Sequence, residues 1–209
     1  MSAAKPIIYV VDDDSSVREA LVSLIASVGW EVSAFGSARE FLDSQKPDAP
    51  ACLVLDLKLP DIHGLDLQAK LGTEDAPPIV FITGYGDIPS SVRAIKAGAV
   101  EFLTKPFREE DLLTAIEAAI QIDCGSREKR AELNELKRRH ALLTPRERQV
   151  LPFVVAGFAN KETAADLGIT ETTIGVHRGQ IMRKMQARSL AELVRMAEKL
   201  GIGHTLGAA

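Results

Sequence analysis

The stretch Ala51–Pro60, ACLVLDLKLP, decides the fold. Cys52-Leu53-Val54-Leu55 is an apolar run with no polar alternation, as a strand covered on both faces of a parallel sheet requires. Asp56 ends the run and Pro60 stops regular structure. Further apolar runs at Ile7–Val11, Val32–Phe35, Ile79–Thr83 and Val100–Leu103 predict four more strands. Helical patterns separate them over Ser16–Val28, Ser37–Gln45, Leu65–Leu71, Asp87–Ala97 and Glu109–Ile122. The first helix carries Val17, Leu21, Leu24, Ile25 and Val28 on one stripe. Ser16 and Glu19 stand at capping-box spacing, and Asp14 reads as a cap of this helix, with metal binding the competing role. Five β–α units in succession predict a doubly wound parallel sheet with right-handed crossovers.

In such a sheet, ligands bind at the carboxyl ends of the strands. Asp56 stands at one such end, and Asp12 and Asp13 follow the run Ile7–Val11. If those strands are neighbours, three carboxylates meet and repel one another. A hard divalent cation with oxygen ligands relieves that repulsion, so the constellation points to a magnesium-dependent phosphate site.

The net charge of −4 over 209 residues hides an asymmetry. Residues 1–124 carry 10 Lys+Arg against 20 Asp+Glu, and residues 125–209 carry 15 against 9. The resulting −10 and +6 sum to the −4 of the whole, which predicts two domains with different partners, the second a polyanion binder. The two cysteines, Cys52 and Cys124, have neither metal-ligand spacing nor a disulfide framework, in keeping with a reducing, cytoplasmic setting. No signal peptide and no membrane-spanning run is evident.

Residues 125–142 are charge-rich with sparse leucines and predict a helical or partly frayed linker. From Leu143 the pattern is helical throughout. Thr144-Pro145-Arg146-Glu147 is a helix start with a capping box, and Pro152 inside that helix should kink it. Asn160–Leu167 is a second helix stopped by Gly168, and Thr170 caps a longer third helix to about Met185. Ser189 caps a fourth, and Gly201–Ala209 reads as a disordered tail. Short helix, glycine turn, longer helix is the helix-turn-helix arrangement.

Residues 1–124 resemble the flavodoxin-like receiver domain of two-component response regulators. The resemblance rests on Asp12-Asp13, Asp56 with Pro60 and Gly64, Thr83, and Lys105-Pro106, each after its predicted strand. It implies that Asp56 is the phosphoacceptor, served by a sensor histidine kinase. It implies Mg²⁺ (or Mn²⁺) held by Asp12, Asp13, Asp56 and the Lys58 carbonyl. Lys105 and Thr83 would contact the phosphoryl group, Phe102 would be the switch aromatic, and the Lys105-Pro106 bond would be cis. Phe102 as plain core is the competing reading. Tyr85, Gly84 and Gly86 belong to a loop whose glycines allow movement. His63 reads as a surface residue and Cys52 as a small buried apolar one.

Residues 143–209, like the all-α four-helix DNA-binding domain of the LuxR/FixJ family, carry Leu167-Gly168-Ile169, Val176-His177-Arg178 and Arg188-Ser189-Leu190. The resemblance implies a third helix in the major groove of double-stranded promoter DNA. Ile174, Ile181 and Met185 would face the core. Thr172, Thr173, Val176, His177 and Gln180 would face bases or backbone, and Lys161, Arg178, Arg183 and Lys184 the phosphates. Gly175 and Gly179 depart from the larger side chains of relatives. The order of the domains resembles FixJ-type transcription regulators, which implies phosphorylation-promoted homodimerisation through the helix 4/strand 5 face, around Val92, Ile95, Ala99 and Phe102. Activation through RNA polymerase follows from the same resemblance. An enzyme with an aspartate nucleophile is the rival class, but such enzymes need a second acid two residues on, where this chain has Lys58. No catalytic turnover is therefore expected.

Overall fold

The computed structural model describes residues 5–72, 76–84 and 88–203. Tyr85, Gly86 and Asp87, and the tail beyond Gly203, lie outside the described residues. The chain divides into two compact units, residues 1–127 and 128–209.

The first unit alternates β1 (Ile7–Val11), α1 (Ser15–Ser27), β2 (Glu31–Phe35), α2 (Ala38–Asp43), β3 (Ala51–Asp56), α3 (Gly64–Leu71), β4 (Ile79–Thr83), α4 (Ile88–Lys96) and β5 (Glu101–Thr104). The strands form one parallel sheet in the order β2-β1-β3-β4-β5. Every residue of β1, β3 and β4 is buried, as their unalternating apolar sequences require. Strand alternation sends Tyr9, Val11, Leu53, Leu55 and Phe81 to one face, against Phe41 of α2, Leu67 of α3 and Ala94 of α4. Ile8, Val10, Cys52, Val54 and Ile82 go to the other, against Leu21 and Ile25 of α1 and Leu112 and Ile116 farther along. Cys52 is fully buried, and burial pushes its thiol pKa far up. Ala99, expected on an exposed face, is buried in the first of these cores.

Asp14 caps α1: its carboxylate accepts the N–H groups of Ser16 and Val17, so the helix starts at Ser15 and no Ser16 capping box forms. Val28, placed on the apolar stripe by periodicity, is the C-cap and is 47% exposed. α5 (Glu109–Ala141) runs well past Ile122, and the expected linker is helical as far as Ala141. Its sequence explains the length: Glu109, Glu110 and Asp111 open it and Arg138, Arg139 and His140 close it, both favourable to the helix dipole. Glu135 also pairs with Arg139 at 2.8 Å, one turn on. The boundary between the two units falls inside this helix. At the amino end of β3, the buried Asp123 carboxylate of α5 accepts the Ala51 N–H (2.9 Å) and pairs with Arg127 (2.7 Å), which also reaches Asp48.

The second unit packs α6 (Pro145–Val155), α7 (Asn160–Leu167), α8 (Glu171–Met185) and α9 (Leu190–Lys199) around Leu143, Val150, Leu151, Val154, Ile174, Ile181, Met185 and Leu193. Thr144 and Glu147 form the expected capping box at the start of α6, which continues past Pro152 to Val155. Leu136 near the end of α5 is buried as well. Among the described residues, no helix is long and apolar enough to cross a membrane.

Candidate functional site

The sheet order places a topological switch between β1 and β3, where the chain turns first to β2 and then back across. Val11 pairs with Leu55, so the next residues, Asp12 and Asp56, come level at the carboxyl edge. One carboxylate oxygen from each of Asp12, Asp13 and Asp56 lies within 4.8 Å of the other two. Asp12 and Asp56 are buried and Asp13 is exposed. Lys105, on the loop after β5, bridges the first two, with Nζ 2.6 Å from Asp12 Oδ2 and 3.1 Å from Asp56 Oδ2. The remaining oxygens accept backbone donors, Asp12 Oδ1 from the Asp14 N–H (3.0 Å) and Asp56 Oδ1 from the Lys58 N–H (3.2 Å).

Burial pushes the Asp12 carboxyl above the ordinary carboxylate range, against the pull of the Lys105 ammonium. Burial also works against the charge on Lys105, but its hydrogen bonds to Asp12 and Asp56 win and raise its pKa. The causes differ, burial for Asp12 and its two carboxylate partners for Lys105, but with three carboxylates and one ammonium that bridges two of them the pocket is short of positive charge. An all-oxygen donor set with excess negative charge fits a hard divalent cation. The site therefore has the composition of a Mg²⁺ site.

The surrounding frame is tightly built. The Lys105 N–H donates to the Thr83 carbonyl at 2.7 Å, and the Lys105–Pro106 peptide is cis, as the resemblance implied. Thr83 is fully buried at the end of β4. Phe102 pairs in register with Phe81, their rings 6.1 Å apart, and is half-buried against the core. Thr83 and Phe81 stand two residues apart, so Thr83, Phe81 and Phe102 share one face of the sheet. Gly64 donates its N–H to the Leu57 carbonyl at 2.7 Å, and a Cβ there would lie 2.7 Å from the Asp56 carbonyl oxygen.

Several supporting residues carry no sequence pattern that announces them. Arg18 Nη1 donates to the carbonyls of Asp12 (2.7 Å) and Asp13 (3.2 Å). Asp61, in the loop after β3, accepts the N–H groups of Ala38 (3.3 Å) and Arg39 (2.8 Å) at the start of α2. Those hydrogen bonds hold its carboxyl below the usual range, although desolvation opposes them. His63 is exposed, as expected, but its Nδ1 also caps α3 by accepting the Leu65 N–H.

In the second unit, α7 ends at Gly168, in the left-handed conformation at φ 65°, and Thr170 caps α8. Ile174, Ile181 and Met185 face the core as expected. The opposite side of α8 exposes Thr172, Gly175, Val176, Gly179 and Arg183, with Val176 59% exposed. Thr173, His177, Arg178 and Gln180 are half-buried at its margin, and Lys161 is exposed on α7. The Thr173 hydroxyl lies 2.7 Å from that of Thr170. Three of the expected phosphate contacts have partners within the unit, Arg183 donating to Gln180 Oε1 at 2.5 Å on the exposed side. Lys184 pairs with the buried Glu147 of α6 at 2.7 Å, and Arg178 donates to the Phe158 carbonyl at 3.2 Å. Glu147 also closes the capping box on the Thr144 N–H. Desolvation works against its charge, but Lys184 and Thr144 hold its pKa below the ordinary range.

An open parallel sheet with three acids at its switch point, followed by a helix-turn-helix unit, defines a response regulator of the transcription-factor class. The comparisons agree. Residues 8–117 match the family described as response regulator receiver domain, and residues 141–197 match the bacterial regulatory proteins of the luxR family. Nodulation protein W of Bradyrhizobium diazoefficiens is 51% identical over 202 residues, covering 96% of this chain and 89% of that protein. The transcriptional regulatory protein FixJ of the same organism is 41% identical over 196 residues, covering 93% and 96%. The solved structure of response regulator StyR covers 94% of this chain and 100% of its own at 49% identity, with a TM-score of 0.83. The chain belongs to the response regulators with a receiver and a LuxR-type helix-turn-helix domain, and is FixJ-like. It is a two-component transcription regulator, not an enzyme.

Proposed function

We propose that Asp56 accepts a phosphoryl group from the phosphohistidine of a sensor kinase, and that this promotes dimerisation and promoter binding. The observation that carries the reading is the convergence of Asp12, Asp13 and Asp56 at the sheet's switch point, with the Lys105 ammonium bridging Asp12 and Asp56. The Asp56 carboxylate attacks phosphorus as the phosphorus–nitrogen bond breaks, leaving neutral imidazole on the kinase and an acyl phosphate here. Asp12, Asp13, Asp56 and the Lys58 carbonyl would hold Mg²⁺ or Mn²⁺, which when bound offsets charge on the transferred group. Lys105 supplies a point charge to the phosphoryl oxygens. The Thr83 hydroxyl binds the same group, and Phe102 responds by turning inward.

The added negative charge biases an existing two-state equilibrium of the receiver. Residues 1–124 are the receiver, 125–142 the connector and 143–209 the DNA-binding domain; the two compact units and the two family matches support this division. In the DNA-binding domain, α8 enters the major groove. Thr172, Thr173, Val176, His177 and Gln180 face the bases, and Lys161 and Arg183 face phosphates. Arg178 and Lys184 serve the fold through the contacts described above. The regulator acts in the cytoplasm as an activator that engages RNA polymerase.

The test is phosphorylation of the full chain by acetyl phosphate and Mg²⁺, read by intact mass, followed by recovery and sequencing of bound genomic fragments. The wild type should gain one phosphoryl group and bind a defined set of fragments more tightly. Asp56→Asn should do neither. Equal labelling and equal DNA affinity in Asp56→Asn would overturn the reading.

A further inference from the structure

The carbonyls of Asp12 and Asp13 occupy an unusual place in the backbone. The β1 ladder ends at Val11, and the first helical hydrogen bond of α1 runs from the Arg18 N–H to the Asp14 carbonyl. The two carbonyls between are beyond the sheet and short of the helix. Both accept a hydrogen bond from one atom, Arg18 Nη1, at 2.7 and 3.2 Å. Helical side chains lean toward the helix N-terminus, and Arg18, in the opening turns of α1, reaches back over the acid pair in that direction.

We propose that Arg18 is a positioning residue of the acidic site. By fixing the Asp12 and Asp13 peptides it presents both carboxylates to the cation in advance, an inference that rests on these acids holding Mg²⁺. The physical need is clear from the geometry. Asp12 is buried and Asp13 exposed, so repulsion from Asp12 and Asp56 favours an Asp13 side chain turned out to water. A guanidinium across both carbonyls resists the peptide rotation that would release it. It also brings a permanent positive charge to a pocket of three carboxylates in which the one ammonium bridges only Asp12 and Asp56. Backbone ties hold the rest of the loop: the Asp14 N–H rests on Asp12 Oδ1 and the Asp12 N–H on the Phe35 carbonyl (3.2 Å). Arg18 is the side chain that clamps the loop from the helix.

Mg²⁺ binding to the full-length, unphosphorylated protein, measured by calorimetric titration, tests this without reference to phosphotransfer. Arg18→Met should weaken Mg²⁺ by about 10–100-fold, the usual effect of losing a group that orients a metal ligand. Its metal-free melting temperature should stay close to that of wild type. Arg18→Lys should recover part of the affinity. Arg39→Met, which removes an equal charge from a solvated position, should bind as wild type. Asp13→Asn should lose Mg²⁺ binding. Wild-type affinity in Arg18→Met alongside loss in Asp13→Asn would sink the Arg18 inference and leave the acidic site standing. Wild-type affinity in Asp13→Asn would instead overturn the cation site itself. Equal weakening by Arg39→Met would reduce the effect to bulk charge and overturn the inference. If Arg18→Met fails to fold, Arg18→Lys decides: intermediate affinity supports the role, and wild-type affinity overturns it.

Discussion

Gly64 shows how little room the phosphoacceptor strand leaves around itself. It is not in a left-handed conformation; its requirement is close approach. A Cβ would stand 2.7 Å from the Asp56 carbonyl oxygen and 3.0 Å from both Leu57 Cα and the Phe81 ring. Two of these are backbone atoms and the third is a core ring, so none can yield like the end of a flexible side chain. Gly64→Ala is expected to cost about 1–3 kcal/mol, the usual penalty of overpacking, read as a lower urea midpoint. Because the displaced backbone belongs to Asp56 and Leu57, phosphorylation by acetyl phosphate should slow as well. An unchanged midpoint and rate would show that the loop gives way freely. The sequence pattern of Asp56, Pro60 and Gly64 marked the glycine, but only the fold shows which atoms exclude a side chain.

Between elements, the tie of Glu147 to Lys184 joins α6 to α8. Glu147 is 4% exposed and its folded pKa lies below the ordinary value of 4.5. A depressed carboxylate contributes stability that is present above its unfolded pKa and lost as pH falls through its folded pKa. The helical unit should therefore lose stability on acidification below about pH 4.5, followed by thermal melts under circular dichroism. Glu147→Gln keeps the shape but leaves Lys184 without its anion. It should lower stability at neutral pH by about 1–3 kcal/mol, as expected when a partly buried polar partner is removed. Its acid limb should be shallower than that of wild type. A Glu147→Gln melt that tracked the wild type at every pH would refute the tie. Charge alone marks Lys184 as a phosphate contact, but in this structure its ammonium is paired with the buried Glu147.

For the molecule as a whole, the receiver surface offers one conspicuous apolar stripe. Ile88, Val92 and Ile95 lie on α4 at spacings of four and three, and are 80%, 45% and 47% exposed. Three large apolar side chains on one exposed helix face suit a two-fold contact between receivers. Val92→Asp with Ile95→Asp should leave phosphorylation intact and weaken the phosphorylated dimer at least about tenfold, the equivalent of 1.4 kcal/mol. Sedimentation with and without acetyl phosphate measures this, and an unaffected dimer would place the interface elsewhere. Ala99 and Phe102, expected on the same face, contribute from beneath it as core.

Strands β1 and β4 and helix α7 have the bounds that the sequence predicts. A run of β-branched and aromatic residues with both faces apolar can only be a central strand, and a helix closed by a left-handed glycine has one place to stop. The sequence by itself also determined the acids, the lysine, the Asp14 cap, the Thr144 capping box and the two-domain order, because each depends on residue type and local spacing. What only the tertiary structure decided is which distant groups meet. The hold of Arg18 on two carbonyls, the reach of Asp61 to α2, the burial of Asp123 under β3 and the capture of Lys184 by Glu147 are side-chain contacts at positions where several residues were chemically eligible. Spacing along a chain fixes the face on which a residue lies, but the partner across from it is set by packing, which no local pattern encodes.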